Sequence, residues 1–263
     1  MFTKLRELSL DDFGLLMLTM PSKQFPAMSA RLPAMAASKI QRAWTGADGT
    51  TLLRQSLNFV RSVRASYEAK TRKSLSGARI LDYGCGYGRL LRLMMFYADN
   101  SQLVGCDPWD ESIKLCTEDG IKCRLDVTDY LPESLPYPAG AFDFIYAFSV
   151  FTHTSLRATR TALAALRKVI AKDGILAITI RPLEYWDMDQ NFVKQAAALK
   201  EKHRKEGFVF MPHQRKPIDG DITYGDTSMS FEYLDSLAPG WKRVGYDRSL
   251  DDAYQIIVYL KPV

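Results

Sequence analysis

Residues 79–91 read Arg79-Ile80-Leu81-Asp82-Tyr83-Gly84-Cys85-Gly86-Tyr87-Gly88-Arg89-Leu90-Leu91. A short apolar run, three alternating glycines and a resumed apolar pattern predict a strand, a tight turn and a helix in succession. Glycine takes positive φ without a Cβ clash, so such a turn lets the backbone amides come close to a ligand. The spacing here is G-x-G-x-G, which departs from the G-x-G-x-x-G that seats a pyrophosphate on a helix N-terminus. Asp82, just before the turn, is a poor neighbour for an anionic pyrophosphate and suits a ligand with an ammonium group.

C-terminal to this stretch the pattern alternates. Strands are predicted at about 78–83, 102–107, 121–126, 142–148 and 174–180, with helices near 88–98, 110–118 and 155–171. The strands look apolar on both faces, which predicts a doubly wound parallel sheet covered by helices on each side. The second strand ends in Val104-Gly105-Cys106-Asp107, placing a carboxylate where it can accept bonds from both hydroxyls of a ribose. Pro108 and Trp109 follow as flat apolar surfaces for a purine, although Trp109 is equally readable as an ordinary half-buried aromatic. The third strand ends in Leu125-Asp126-Val127, which offers a side-chain acceptor and a backbone N–H to an adenine edge; an acid closing a strand end is the alternative for Asp126.

With these residues on one chain in this order, Ile80 to Gly88 resembles motif I of the class I S-adenosylmethionine-dependent methyltransferases. Asp107 and Asp126 resemble the two acidic positions that follow it in that family. Ala141-Phe142-Asp143-Phe144-Ile145-Tyr146 with Ser149-Val150-Phe151-Thr152-His153 resembles the fourth strand and its loop, and Lys172-Asp173-Gly174 the turn before the fifth. The resemblance spans roughly 75–181 and includes the terminal hairpin. It implies a Rossmann-like, doubly wound α/β sheet of seven strands with an antiparallel hairpin at its end, and S-adenosylmethionine as cofactor. It also implies that Gly84, Cys85, Gly86 and Gly88 surround the methionine part, with Cys85 only a small filler, and that Asp82 holds the ammonium group. Asp107, with Pro108 and Trp109 beyond it, would face the ribose and purine, Asp126 and Val127 the adenine, and Ala147 and Phe148 the sulfonium side.

Outside that span, residues 1–75 read as a helical extension. Pro21, Pro26 and Pro33 break its first part into short irregular helices, and Leu53, Leu57, Val60 and Tyr67 form one stripe of an amphipathic helix. Residues 76–263 read as the main domain, interrupted by an insertion at 182–229. The insertion carries a helix over 189–207 with Phe192, Ala196, Leu199 and His203 on one face, then a loop-rich stretch to Ser228. A short helix near 230–237 and two closing strands, 241–246 and 255–260, complete the chain. An insertion after the fifth strand lies at the carboxyl edge of such a sheet, where open α/β folds bind ligands, so it is expected to act as a lid. His153 and His213 are the candidate catalytic bases, each with a structural alternative. Tyr185, Trp186, His203 and Tyr224 are the candidate substrate contacts, with packing as the competing reading.

Composition narrows the function. The chain has 263 residues, 35 Lys plus Arg against 30 Asp plus Glu, 47% apolar residues and 25% charged ones, which fits a globular protein and disfavours nucleic acid as a partner. Four cysteines without a Cys-x-x-Cys pair and three histidines suggest neither a metal site nor a disulfide framework. No apolar run approaches the roughly 20 residues of a membrane span, and reduced thiols suggest a cytoplasmic protein. Ala147-Phe148-Ser149-Val150 stands where amino-directed nucleobase enzymes carry an Asn/Asp-Pro-Pro-aromatic signature. Ser149 to His153 and Tyr254 to Val258 resemble bacterial methyltransferases of polysaccharide and secondary-metabolite pathways. The resemblance therefore implies transfer to a hydroxyl of a small molecule or glycan, against a protein or RNA methyltransferase or a non-catalytic cofactor-binding homologue. Oligomeric state carries no sequence signature.

Overall fold

The computed structural model describes residues 2–263. They form two compact units, one up to Thr128 and one spanning Asp129–Val263.

In the first unit the N-terminal part is helical: α1 (Phe2–Leu5), α2 (Leu10–Leu18), α3 (Pro26–Ser29), α4 (Ser38–Thr45) and α5 (Gly49–Thr71). Pro26 opens α3 at a position where its missing N–H costs nothing. Helix α5 buries Leu53, Leu57, Val60 and Tyr67, the four residues of the stripe, together with Leu52, Phe59 and Val63. There follow β1 (Ile80–Tyr83), α6 (Arg89–Met94), β2 (Leu103–Asp107), α7 (Asp110–Glu118) and β3 (Arg124–Val127). β1 pairs with β2 and β2 with β3, both in parallel. Arg92, completely buried on α6, ties the extension to this unit: its guanidinium donates to Ala34 O and Tyr87 O and pairs with Asp119 at 2.8 Å.

The second unit carries β4 (Phe142–Ala147), α8 (Leu156–Val169), β5 (Ile170–Ile180), α9 (Tyr185–Met188), α10 (Ala196–Glu206), β6 (Phe208–Pro212), β7 (Gly225–Met229), α11 (Phe231–Leu237), β8 (Trp241–Arg248) and β9 (Ile256–Pro262). β4 and β5 run parallel, whereas β9 is antiparallel to both β5 and β8. The seven strands of the mixed sheet carry the order β3-β2-β1-β4-β5-β9-β8, and β6 and β7 form a separate antiparallel pair. The seven-stranded sheet with its antiparallel terminal hairpin is the fold that the resemblance implies.

Three of the departures from expectation have a local reason. The third strand starts at Arg124 rather than 121, because Gly120 at φ 81 ends α7 and Ile121 N–H still bonds back to Cys116 O. The fifth strand begins at Ile170: the register shifts so that residues 171–174 lie opposite Asp143 alone, and a Cβ at Gly174 would stand 3.0 Å from both Ala171 O and Asp143 O, which favours glycine there. In the insertion, α9 and a 3₁₀ turn at Val193–Gln195 precede α10 in place of one helix over 189–207, and β6–β7 replaces the expected loop. β7 was illegible because Gly225-Asp226-Thr227-Ser228-Met229 has no apolar alternation, yet all five residues are buried.

No helix among the described residues is long and apolar enough to cross a membrane.

Candidate active site

In the first unit, the turn after β1 holds Gly84, Gly86 and Gly88 at φ 76, 54 and 74. The positive angles fold the turn back on β2. Gly84 and Cys85 N–H both donate to Cys106 O, Gly88 N–H to Cys85 O, and Gly86 N–H to Asp107 Oδ2 at 2.9 Å. The amides expected to meet a ligand are thus used inside the chain, and at its glycines the turn has no side chains of its own. Gly88 has a second reason to be glycine, since a Cβ there would lie 2.3 Å from Ile121 Cδ1.

Asp107 ends β2 between the two residues it binds: Oδ2 takes the Gly86 N–H and Oδ1 the Trp109 N–H, at 2.9 Å each. It is only 9% exposed, and burial pushes its carboxyl above the usual range against the pull of those two amides. The Ser112 side chain bonds the same carboxylate, which leaves it room for one further donor. Pro108 is half-buried, while Trp109 is 42% exposed and Val127 is exposed at the tip of β3. Asp126, half-buried, pairs with Arg124 Nε at 2.8 Å. Asp82 is buried within β1, and Cys85 is buried with its thiol pushed up by Cys116 and by burial. The hydroxyl of Tyr87, inside the same turn, is buried with no hydrogen-bond partner among the described residues.

In the second unit, Ala147 ends β4 fully buried and Phe148 is half-buried beyond it. The loop 152–155 is then tied to β7: Gly225 N–H donates to His153 O, and Thr227 N–H to Thr152 O. Only glycine fits at 225, where a Cβ would lie 2.1 Å from Met211 O.

These tethers assemble a polar cluster around Asp226, which no sequence motif marks. Its Oδ1 accepts from Arg181 Nη1 at 2.6 Å and from the Tyr185 hydroxyl at 2.8 Å, and its Oδ2 lies 2.6 Å from His213 Nε2. Burial alone would raise the Asp226 carboxyl, but the His213 hydrogen bond and the Arg181 charge prevail and hold it below the usual range. An ionised carboxylate only accepts, so His213 Nε2 carries the hydrogen and Nδ1 is left as the acceptor of the neutral ring. The Arg181 guanidinium also lies over the Tyr185 ring, 3.9 Å from its centre.

His153 is placed differently. Its Nδ1 faces Gly225 O at 2.8 Å and so carries the hydrogen, and its Nε2 accepts from Arg181 Nη2 at 3.0 Å. Burial and the adjacent Arg181 charge lower its pKa to about 4. With both nitrogens engaged, it has no lone pair for a substrate proton. Its ring stacks on Tyr224 at 5.0 Å.

Two expected substrate contacts lie elsewhere. Trp186 is 0% exposed in a small core with Ala196, Leu199 and Val209, and its indole N–H donates to Ser228 Oγ. His203, also buried, bonds the same hydroxyl at 2.8 Å. Both pack the insertion and neither reaches an open surface.

A family profile described as a methyltransferase domain matches residues 81–178. Among solved structures, the chain is similar to an S-adenosylmethionine-dependent methyltransferase from Clostridium acetobutylicum ATCC 824 (13% identity, 86% of this chain and 95% of that one, TM-score 0.54). It is similar also to magnesium protoporphyrin IX methyltransferase (ChlM) from Synechocystis PCC 6803 with bound SAH (14% identity, 95% and 99%, TM-score 0.53). A third is the PH0226 protein of Pyrococcus horikoshii OT3 (13% identity, 78% and 90%, TM-score 0.54). At such identities the likeness to these structures is one of fold. No curated protein matches the chain in sequence. Residues 81–178 thus match a methyltransferase-domain profile, on a fold shared with solved methyltransferases.

Proposed function

We propose that the chain moves a methyl group from S-adenosylmethionine to a hydroxyl of a small molecule or glycan, with His213 as the general base. The observation that carries the second part is the 2.6 Å contact between His213 Nε2 and Asp226 Oδ2, in which the imidazole side chain is 40% exposed and the carboxylate 8%. A buried acid that orients a reachable imidazole is the arrangement a weak oxygen nucleophile needs.

The residues of the first unit fit the cofactor. A buried carboxylate with room for a further donor at Asp107 suits a ribose, the turn at Gly86, with no side chain of its own, suits a closely approaching chain, and the orphaned Tyr87 hydroxyl wants a partner. Asp82, Cys85 and the three glycines are assigned to the methionine end, Pro108 and Trp109 to the purine face, Asp126 and Val127 to the adenine edge, and Ala147 and Phe148 to the sulfonium. When bound, S-adenosylmethionine supplies a sulfonium methyl already activated for displacement. The protein then has to align an acceptor and take its proton, work done by position more than by strong catalysis. His213 Nδ1 receives the hydroxyl proton, Asp226 stabilises the resulting imidazolium, and Arg181 with Tyr185 keeps Asp226 ionised and fixed. His153 supports this cluster by holding Arg181, and Tyr224 by stacking on His153. Residues 182–229 thus serve the acceptor, as an insertion in the domain that begins near residue 76.

The test is methyl transfer to a panel of hydroxylated small molecules and glycans beside matched amines. His213→Ala should lower turnover about a hundredfold or more, while calorimetry with S-adenosylhomocysteine shows unchanged affinity. Full turnover in that variant would leave alignment without a histidine base, and amine-only transfer would end the hydroxyl assignment.

A further inference from the structure

Trp44, on the last turn of α4, stacks on Trp109 with ring centres 4.7 Å apart and planes 27° from parallel. It also meets Tyr87 edge-on at 5.9 Å, and its benzo edge lies 3.8 Å from where a Gly86 Cβ would be. One indole therefore covers both residues whose amides hold Asp107, Gly86 on one side and Trp109 on the other. A flat ring laid on that side of Trp109 would need the space Trp44 takes up.

Stacked aromatic rings sit at 4.5–7 Å between centres, and a purine inserted between two rings requires about the upper end of that range or more. The 4.7 Å spacing of Trp44 and Trp109 leaves no such layer. Trp44 is only half-buried, and positions 46 and 49 just beyond it face open space, where an added Cβ would meet nothing within 4 Å. The segment around it is well anchored: Gln41 is buried, bonding Ala36 O and accepting from Gly49 N–H, and Thr45 Oγ1 bonds Gln41 O. The indole can thus swing about its own side-chain bonds while α4 stays in place.

We propose that Trp44 is a place-holder for the nucleoside: its indole holds the loop-facing side of Trp109 and gives way when the cofactor enters. The inference rests on the assignment of S-adenosylmethionine to the first unit. It gives the N-terminal extension a defined role, that of setting cofactor affinity, because part of the binding free energy goes into breaking an indole–indole stack.

The experiment is titration of the full-length chain and its Trp44→Ala variant with S-adenosylhomocysteine by calorimetry, with tryptophan emission followed in parallel and thermal melts to verify folding. Removing the competing stack should tighten binding about three- to tenfold. Ligand should shift the emission of the unaltered protein to the red as Trp44 leaves its stack, and this shift should vanish in the variant. Weaker binding by Trp44→Ala would make the indole a roof over the ligand and overturn the proposal. Equal affinities would overturn it too, with cofactor binding itself left standing. If neither protein binds the ligand, the cofactor assignment falls and the place-holder falls with it.

Discussion

His213 Nε2 lies 2.6 Å from Asp226 Oδ2, and the opposite oxygen of that carboxylate lies 2.6 Å from Arg181 Nη1. Asp226 therefore joins a reachable imidazole to a buried cation, and the two demands on it separate by mutation. Asp226→Asn keeps the shape but loses the charge. Turnover should fall about a hundredfold because the imidazolium is no longer stabilised, and stability should fall by about 3 kcal/mol because Arg181 is left buried and unpaired. His213→Gln, at a more exposed position, should lower turnover while changing stability by less than about 1 kcal/mol. Steady-state kinetics and urea denaturation on both variants check the split.

The engaged nitrogens of His153 have a consequence for acid stability. Its pKa is lowered to about 4 from the ordinary 6.5, so between those values the unfolded chain binds a proton that the folded site refuses. Stability is full above about pH 6.5 and declines as pH falls toward 4, by up to about 3 kcal/mol for this group. His203, lowered by burial, acts in the same direction. Urea midpoints measured from pH 7 to 4 should show this slope, and His153→Gln should flatten it; an unchanged slope would refute the neutral, buried assignment.

Asp107→Ala should weaken S-adenosylhomocysteine binding by about 2–3 kcal/mol, since a charged acceptor for two hydroxyls is lost. The same change also frees the amides of Gly86 and Trp109, so Asp107→Asn, which can still accept, should recover part of the loss. Calorimetry showing equal affinity for all three proteins would remove Asp107 from the ribose.

Gly86 and Gly88 look alike in the motif, yet they should respond differently to alanine. Both have positive φ, at a cost of roughly 1 kcal/mol for a side chain. At Gly86 the added methyl meets Trp44 at an ordinary 3.8 Å, whereas at Gly88 it would lie 2.3 Å from Ile121. Gly88→Ala should therefore cost a further 1–3 kcal/mol or so from overpacking, and Gly86→Ala should be felt mainly in ligand binding. Melting temperatures compared with calorimetric affinities distinguish the two.

Apolar periodicity and glycine spacing are local properties, and what depends on them was legible in the chain: the strand, turn and helix at 79–91, the carboxylate at the end of β2, the stripe of α5 and the terminal hairpin. A hydrophobic strand buried on both faces and a glycine that alone tolerates positive φ announce themselves without their neighbours. Asp226 does not. It belongs to a buried strand without apolar alternation, where Arg181, His213 and Tyr185 satisfy its carboxylate, and those partners lie 13 to 45 positions away in sequence. The same holds for Trp44, whose importance rests on touching Trp109 and Gly86, and for His153 and Trp186, whose hydrogen bonds turn apparent site residues into supports. Sequence alone determined the strand, glycine turn and helix that carry the resemblance, because these are written in contiguous residues. Which imidazole has both nitrogens engaged and which is exposed, and what covers the turn, only the tertiary structure decided, because hydrogen-bond partnership and burial are set by residues far apart along the chain.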